Sequence, residues 1–236
     1  MRNILLISIC SILFISCNKP KSRIQISESK IRTSYSIDGS LKNFHPNTVY
    51  LNKIIENSLY SIDSASIIND KFQFNGSVDY PERYALTFNN YSSAIAFIIE
   101  NDSIKIVIDF DNMNEPIITG SRLNNEFNNY TLSSKKIFKK IEYLFPKFQK
   151  ARLENDVETL KILNDEMTII ENEYFNFTYD YLSKNPTSFV SAMILRDQLK
   201  LTKIDTSRII NGYHKLSDEV KMSPDAEIIS IQLNLH

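Results

Sequence analysis

Apolar residues in the first half of the chain recur at period two, in short runs separated by Asn, Asp, Gly and Pro. This is the pattern of half-buried strands between turns. Ser36–Leu41 and Thr48–Leu51 are β-type runs. Ser66-Ile67-Ile68, the turn-forming Asn69-Asp70 and Lys71–Val78 predict a hairpin, with Phe72, Phe74 and Val78 on one face. Arg83–Phe88 predicts a strand after Pro81, and the nearly continuous apolar run Ala94–Glu100 predicts one buried on both faces. Asn101-Asp102 turns this run back into Ser103–Phe110, where Ile104, Ile106 and Ile108 alternate with Lys105, Val107 and Asp109. Pro116–Thr119 forms a last short strand, closed by Gly120. Seven to eight short strands at this spacing predict an antiparallel β-sandwich or open barrel over residues 34–120.

The period then changes to that of helices, predicting a helical region over residues 121–236. Leu123, Phe127, Tyr130, Ser134, Ile137, Ile141, Leu144 and Phe148 step alternately by four and three. Pro146 is expected to kink or end this helix near its last turn. Asn155-Asp156 caps a second helix carrying Val157, Leu160, Leu163, Met167, Ile170, Tyr174, Phe177 and Tyr181 on one stripe. Glu154, Glu158, Lys161, Asp165, Glu166 and Glu173 lie opposite. The two helices are expected to pack as a long antiparallel pair. Their stripes are wider than such a pair covers, so the outer face of the sheet is expected to supply a second packing surface. Asn185-Pro186 predicts the start of a helix running to about Leu199. Asp205 caps another to about Lys215, and Ser223-Pro224 opens a last one. The fold class is α+β, strands first and helices second.

The amino terminus has a different character. Met1-Arg2-Asn3 is followed by the apolar run Ile4–Ile15, then Ser16-Cys17 and polar Asn18-Lys19-Pro20-Lys21. The run is shorter than the ~20 residues a membrane-spanning helix needs, and has the charge, core and small-residue exit of a secretory signal. Ser16-Cys17 resembles a bacterial lipobox, with Phe14 where Leu is usual and Leu13 one place further out. Residues 1–16 therefore read as a lipoprotein signal peptide, Cys17 as the acylated first residue of the mature chain, and residues 17–33 as a lipidated tether. Lys19 and Lys21 without an acidic cluster favour the periplasmic face of the outer membrane over surface export.

Composition narrows the chemistry. Among 236 residues, 27 Lys and Arg balance 28 Asp and Glu, so no basic excess exists for nucleic acid. Four Gly, three His and two Cys leave little material for phosphate loops or for a zinc or iron centre. With Cys10 removed in the signal and Cys17 lipidated, no thiol remains for redox or nucleophilic work. His45 and His214 lie in different halves, and neither accompanies a nucleophile-elbow motif. Asp109 and Asp111, beside Asn112 and Asn114, can face one way and offer oxygen ligands. The spacing to Glu115 does not fit a calcium loop, so a solvated strand end is the reading taken. No catalytic residue, metal site or cofactor is expected.

The order of features is itself specific: lipobox, polar tether, Ile37-Asp38-Gly39, Val49-Tyr50-Leu51, Asp63-Ser64, then Lys71-Phe72-Gln73-Phe74-Asn75-Gly76-Ser77-Val78. Tyr80-Pro81, Phe97-Ile98-Ile99-Glu100, Ile118-Thr119-Gly120-Ser121, Asn124-Asn125-Glu126 and Asn185-Pro186-Thr187-Ser188 continue it. This order resembles the uncharacterised amino-terminal module that precedes thioredoxin-like domains in Bacteroidota periplasmic lipoproteins. The resemblance implies a β-rich unit followed by helices and an envelope address. In that family the thioredoxin-like domain follows at about the point where Leu233-Asn234-Leu235-His236 stands here, and nothing in this sequence matches its Cys-x-x-Cys motif. Redox activity is therefore not implied. Asp63-Ser64-Ala65 and Asp102-Ser103-Ile104 resemble the O-glycosylation signal of periplasmic Bacteroidota proteins, marking Ser64 and Ser103, with Asx turns as the alternative reading.

These features lead to the expectation of a membrane-anchored, non-catalytic accessory lipoprotein. It is held to the bilayer through acylated Cys17 and acts through contacts with a protein partner. The alternative is the front fragment, or a degenerate relative, of a thioredoxin-like thiol-disulfide oxidoreductase.

Overall fold

The first strand, β1 (Tyr35–Lys42), sends Tyr35, Ile37 and Leu41 inward at period two. Gly39 stands between them because the ring of Phe72 occupies the space its side chain would fill. Seven strands follow: β2 (Thr48–Ile55), β3 (Ser58–Ser66), β4 (Lys71–Gly76), β5 (Glu82–Phe88), β6 (Ala94–Ile99), β7 (Ser103–Asp109) and β8 (Ile117–Thr119). A 3-10 turn, Phe110–Asn112, separates the last two. They form two four-stranded sheets, β4-β1-β7-β8 and β3-β2-β5-β6. β1 and β7 run parallel, and the other pairs are antiparallel. One core lies between the sheets: Ile37, Phe74, Ile104, Ile106 and Ile108 meet Val49, Leu51, Leu86, Phe97 and Ile99. This computed structural model describes residues 32–56, 58–201 and 204–235. The signal segment and Cys17 lie outside them, as does the tether up to residue 31.

Four strand expectations are corrected. Asn69 and Asp70 do form a tight turn, both with positive φ, and Ile68 and Lys71 exchange backbone hydrogen bonds of 3.0 and 3.1 Å. No hairpin grows from it, because β3 pairs with β2 and β4 pairs with β1 in the other sheet. A short turn here crosses between layers. β6 is an edge strand, buried on both faces only over Phe97, Ile98 and Ile99. Asn101-Asp102 likewise passes the chain to the other sheet rather than to a neighbouring strand. β3 lies before the expected run Ser66-Ile67-Ile68 and shares only Ser66 with it; nearly all its residues are exposed, so no alternation betrays it.

The helices are α1 (Arg122–Glu154), α2 (Val157–Lys184), α3 (Phe189–Gln198), α4 (Thr206–Lys215), α5 (Asp218–Lys221) and α6 (Pro224–Leu233). α1 passes straight through Pro146 and ends eight residues later. Pro146 is exposed, and the buried Leu144 and Ala151 on either side hold the helix against α2. Asn155 takes the left-handed conformation that closes α1, and the Asp156 carboxylate accepts from Thr159 N–H at 3.0 Å to open α2. Asn185 closes α2, and Ser188 rather than Asn185 caps α3. The expected start at Asn185-Pro186 is thus displaced by one turn.

A second core gathers around α3, whose Val190, Ala192, Met193, Ile194 and Leu195 are at most 1% exposed. Leu123, Tyr130, Leu182, Ile209, Val220 and Ile229 surround it, and from the sheets only Ile98 joins this buried cluster. The second packing surface for α1 and α2 is therefore the later helices, against expectation. Residues from Arg32 onward form one compact unit.

Candidate functional site

The two long helices leave the second core as an arm. Ile137, Leu144 and Ala151 of α1 are buried at intervals of seven, with Ile141 and Phe148 between them. Leu163 and Ile170 of α2 answer them, with Leu160, Met167 and Tyr174 between. Spacings of three and four on both helices make a two-stranded coiled-coil seam. Cross-contacts fix the antiparallel register: Tyr181 Oη donates to Glu126, Tyr130 and Thr178 hydroxyls lie 2.9 Å apart, Phe138 packs on Tyr174 at 4.6 Å, and Lys140 pairs with Glu173 at 2.6 Å. This third apolar cluster is built from α1 and α2 alone. The arm from Ile137 to Glu154 runs ~27 Å at 1.5 Å per residue.

A two-helix seam leaves the flanks of each helix open. Tyr143 (71% exposed), Phe145 (54%), Ile162 (54%) and Ile169 (68%) lie on these flanks. On one side Tyr143, Leu144, Ile169 and Ile170 line an open groove of about 600 Å³. Lys136, Lys139 and Lys140 border it from α1, and Glu166 and Glu173 from α2. The charge separates by helix. From Lys135 to Arg152 there are seven basic residues against one acid, and from Glu158 to Glu173 five acids against one Lys. Apolar side chains exposed together in a groove of this kind form the type of surface that protein partners, membranes or ligands cover.

Polar groups hold the base of the arm and the later helices to the sandwich. Asn124, 6% exposed on the first turn of α1, accepts from Ile98 N–H at 2.8 Å and donates to Ile98 C=O at 2.6 Å. Its amide thus supplies the partner that edge strand β6 lacks. Glu100 accepts from the Ser121 hydroxyl at 2.6 Å and from Leu123 N–H at 2.9 Å. Arg83 of β5 makes two bonds to Asp197, of 2.9 and 2.7 Å, and one to Asp225 of 3.2 Å. Arg196 adds a bond of 2.9 Å to Asp225. Burial alone would lower the Arg83 pKa, but Asp197 and Asp225 outweigh it and hold it above the usual value.

A knot of tyrosines locks the root of the arm. Tyr130 stacks on Phe177 at 5.4 Å and sits 5.1 Å from Tyr181. Burial pushes the Tyr130 phenol far above its usual range, and burial together with the Glu126 carboxylate does the same to Tyr181. Tyr179 is pushed up to about 12 by burial and by Asp205, with Arg208 over its ring acting the other way. Gln198 donates to Tyr174 Oη and Ile194 C=O, while its Oε1 stays buried without a partner.

The residues singled out in the sequence fall elsewhere. Ser64 is exposed on edge strand β3, its N–H donating to Asp63 at 2.7 Å. Ser103 is half-buried at the start of β7, its Oγ accepting from Ser36 and its N–H donating to Asp102. Asp109 and Asp111 do face one way, onto the Asn43 amide at 2.8 and 3.1 Å. Among the described residues no three His, Cys, Asp or Glu side chains form a metal-binding group. His45 bonds Asp70 at 2.8 Å, and His214 contacts Tyr213. Sequence reasoning missed Arg83, Asp197 and Asp225, and took Glu100 and Asn124 only as parts of motifs without a role; the five lie far apart in the chain. Each has at least one polar or proline neighbour, so no local sequence signal marks them.

Among the described residues, no helix is long and apolar enough to cross a membrane. Residues 35–127 match a family described as "Domain of unknown function (DUF4369)". That span takes in all eight strands and the opening turns of α1, with the Asn124 and Glu126 anchors. It agrees with the resemblance to an uncharacterised β-rich amino-terminal module. The arm beyond Phe127, and the helical core, lie outside the matched span. No curated protein matches the chain.

Proposed function

We propose, for a chain whose β-sandwich is a family domain of unknown function, that the protein is a non-catalytic accessory lipoprotein of the cell envelope. It is tethered at the periplasmic face of the outer membrane through diacylated Cys17, and acts by protein contact through the α1–α2 arm. The observation that carries this reading is the groove on the arm. Tyr143 and Ile169 are large apolar side chains, 71% and 68% exposed, on a rigid support that continues past the family domain. The address rests on the apolar run ending in Ser16-Cys17 and the polar residues that follow. With two thiols in the whole sequence, Cys10 and Cys17, residues 18–236 have no sulfur nucleophile with which to exchange disulfides.

Metabolic labelling with a palmitate analogue tests the anchor. The native chain is expected to take up label and sediment with membranes, and Cys17→Ala to lose the label and be released or mis-processed. A Cys17→Ala chain that remains membrane-bound at full length contradicts the lipid anchor.

A further inference from the structure

The groove has a basic border on one helix and an acidic border on the other. A single amphipathic helix presents one dominant charge to each border only if it is itself divided lengthwise. The arm of this same chain already has that division. Rotated by 180° about its long axis and laid face to face, a second arm places its acidic α2 over the basic α1 and its basic α1 over the acidic α2. The same rotation brings Tyr143 close to the partner's Ile169, because the antiparallel Lys140–Glu173 pair sets Tyr143 level with Ile170 and both residues line the groove. Lys140 and Glu173 already neutralise one another within the arm. Lys136, Lys139 and Glu166 have no ion-pair partner among the described residues and remain for a second chain.

We propose that the arm pairs with the arm of a second copy of this chain, forming a four-helix bundle in which every neighbouring pair of helices is antiparallel. The proposal rests on the reading of the arm as the contact surface and names its partner. Such an interface is isologous: one patch serves both chains. Its rotation axis lies along the arms, so the two sandwich bodies sit at the same end of the bundle. A patch ~27 Å long and two helices wide buries about 500 Å² per chain, at the low end for specific association. Pairing is therefore weak in dilute solution and strengthened where chains are confined together.

The test uses the full chain carrying benzoylphenylalanine in place of Tyr143, photolysed in intact cell envelopes. The expected product is a covalent dimer of the chain, with the cross-link mapping to residues 157–173 of the other copy. Glu166→Lys is expected to lower its yield several-fold, and Lys136→Glu with Lys139→Glu in the same chain to restore it. A cross-link only to a different protein overturns self-pairing and leaves the arm as a contact surface. Cross-links to lipid alone, or none, overturn both. Density-matched sedimentation of the native full chain in detergent gives a second readout. A rising dimer fraction with concentration is expected, and Ile169→Asp is expected to raise the dissociation constant about tenfold or more. Ile169 is 68% exposed, so this variant keeps the fold. A monomer at every concentration in detergent, together with no cross-linked dimer from envelopes, overturns the proposal.

Discussion

Asn124 shows how one residue joins the two halves of the molecule. An edge strand exposes N–H and C=O groups that must be satisfied when buried. β6 ends beneath α1, where Ile98 is fully buried, and the Asn124 amide bonds both backbone groups of that residue. Replacing Asn124 with Ala leaves a donor and an acceptor unpaired in a dry place, costing about 2–3 kcal/mol. Chemical denaturation is expected to show that loss, and a cost under about 0.5 kcal/mol would contradict the role given to Asn124. Gln198 presents the opposite case. Its Oε1 is buried without a partner, so Gln198→Met is expected to be neutral or to stabilise by about 1 kcal/mol, read from the same measurement. Neither position is legible in the sequence, because both side chains act on partners brought near only by folding.

At the scale of elements, regular periodicity was readable and its exceptions were not. The alternation in β7 and the four-and-three stepping in α1 and α2 led directly to the observed strand and coiled-coil seam. β3 has too few buried residues to alternate, and Pro146 reads as a stop although the seam carries α1 through it. The buried tyrosines, most of them at the arm's root, give the fold a pH dependence of defined sign. Burial raises the phenol pKa of Tyr130 and Tyr181, and of Tyr84 and Tyr179 to about 12 each. In the unfolded chain these phenols ionise near pH 10. Below that pH both states are protonated and the stabilisation is complete. As pH rises above about 10, the unfolded state releases protons that the folded state keeps, so stability falls and is lost progressively through the folded values. Urea midpoints measured from pH 8 to 11.5 are expected to hold steady and then drop beyond about 10. A flat profile through pH 11.5 would show that these phenols are not buried as described.

For the whole molecule, the division between strands and helices was legible, but the way the halves join was not. The sequence suggests a broad sheet face covering the helices, whereas a single strand residue, Ile98, enters the helical core. The remaining attachment is the aromatic contact of Tyr80 with Phe189, at 6.3 Å, and polar links through Asn124, Glu100, and Arg83 with Asp197 and Asp225. Arg83 has 19% of its side chain exposed and Asp225 has 5%, so breaking this link leaves charge poorly solvated. Arg83→Met is expected to cost about 3 kcal/mol. Calorimetry of the native chain is expected to show one transition, since most of the links just named must break together, and two separate melting steps would contradict that coupling. The candidate surface was hidden from the sequence for a related reason. Tyr143 and Ile169 belong to patterns that read as core, and only the extension of the arm beyond the helical core leaves them exposed.

The central claim, that the arm is the contact surface of an envelope-anchored protein, is tested most directly by hydroxyl-radical footprinting. The full chain in intact envelopes is compared with the same chain purified and diluted in detergent. Tyr143 and Ile169 are expected to be oxidised several-fold less in the envelope, while Tyr60 on β3, 54% exposed, reacts equally in both. Equal oxidation of Tyr143 and Ile169 in the two samples, or protection of Tyr60 in their place, would contradict the account.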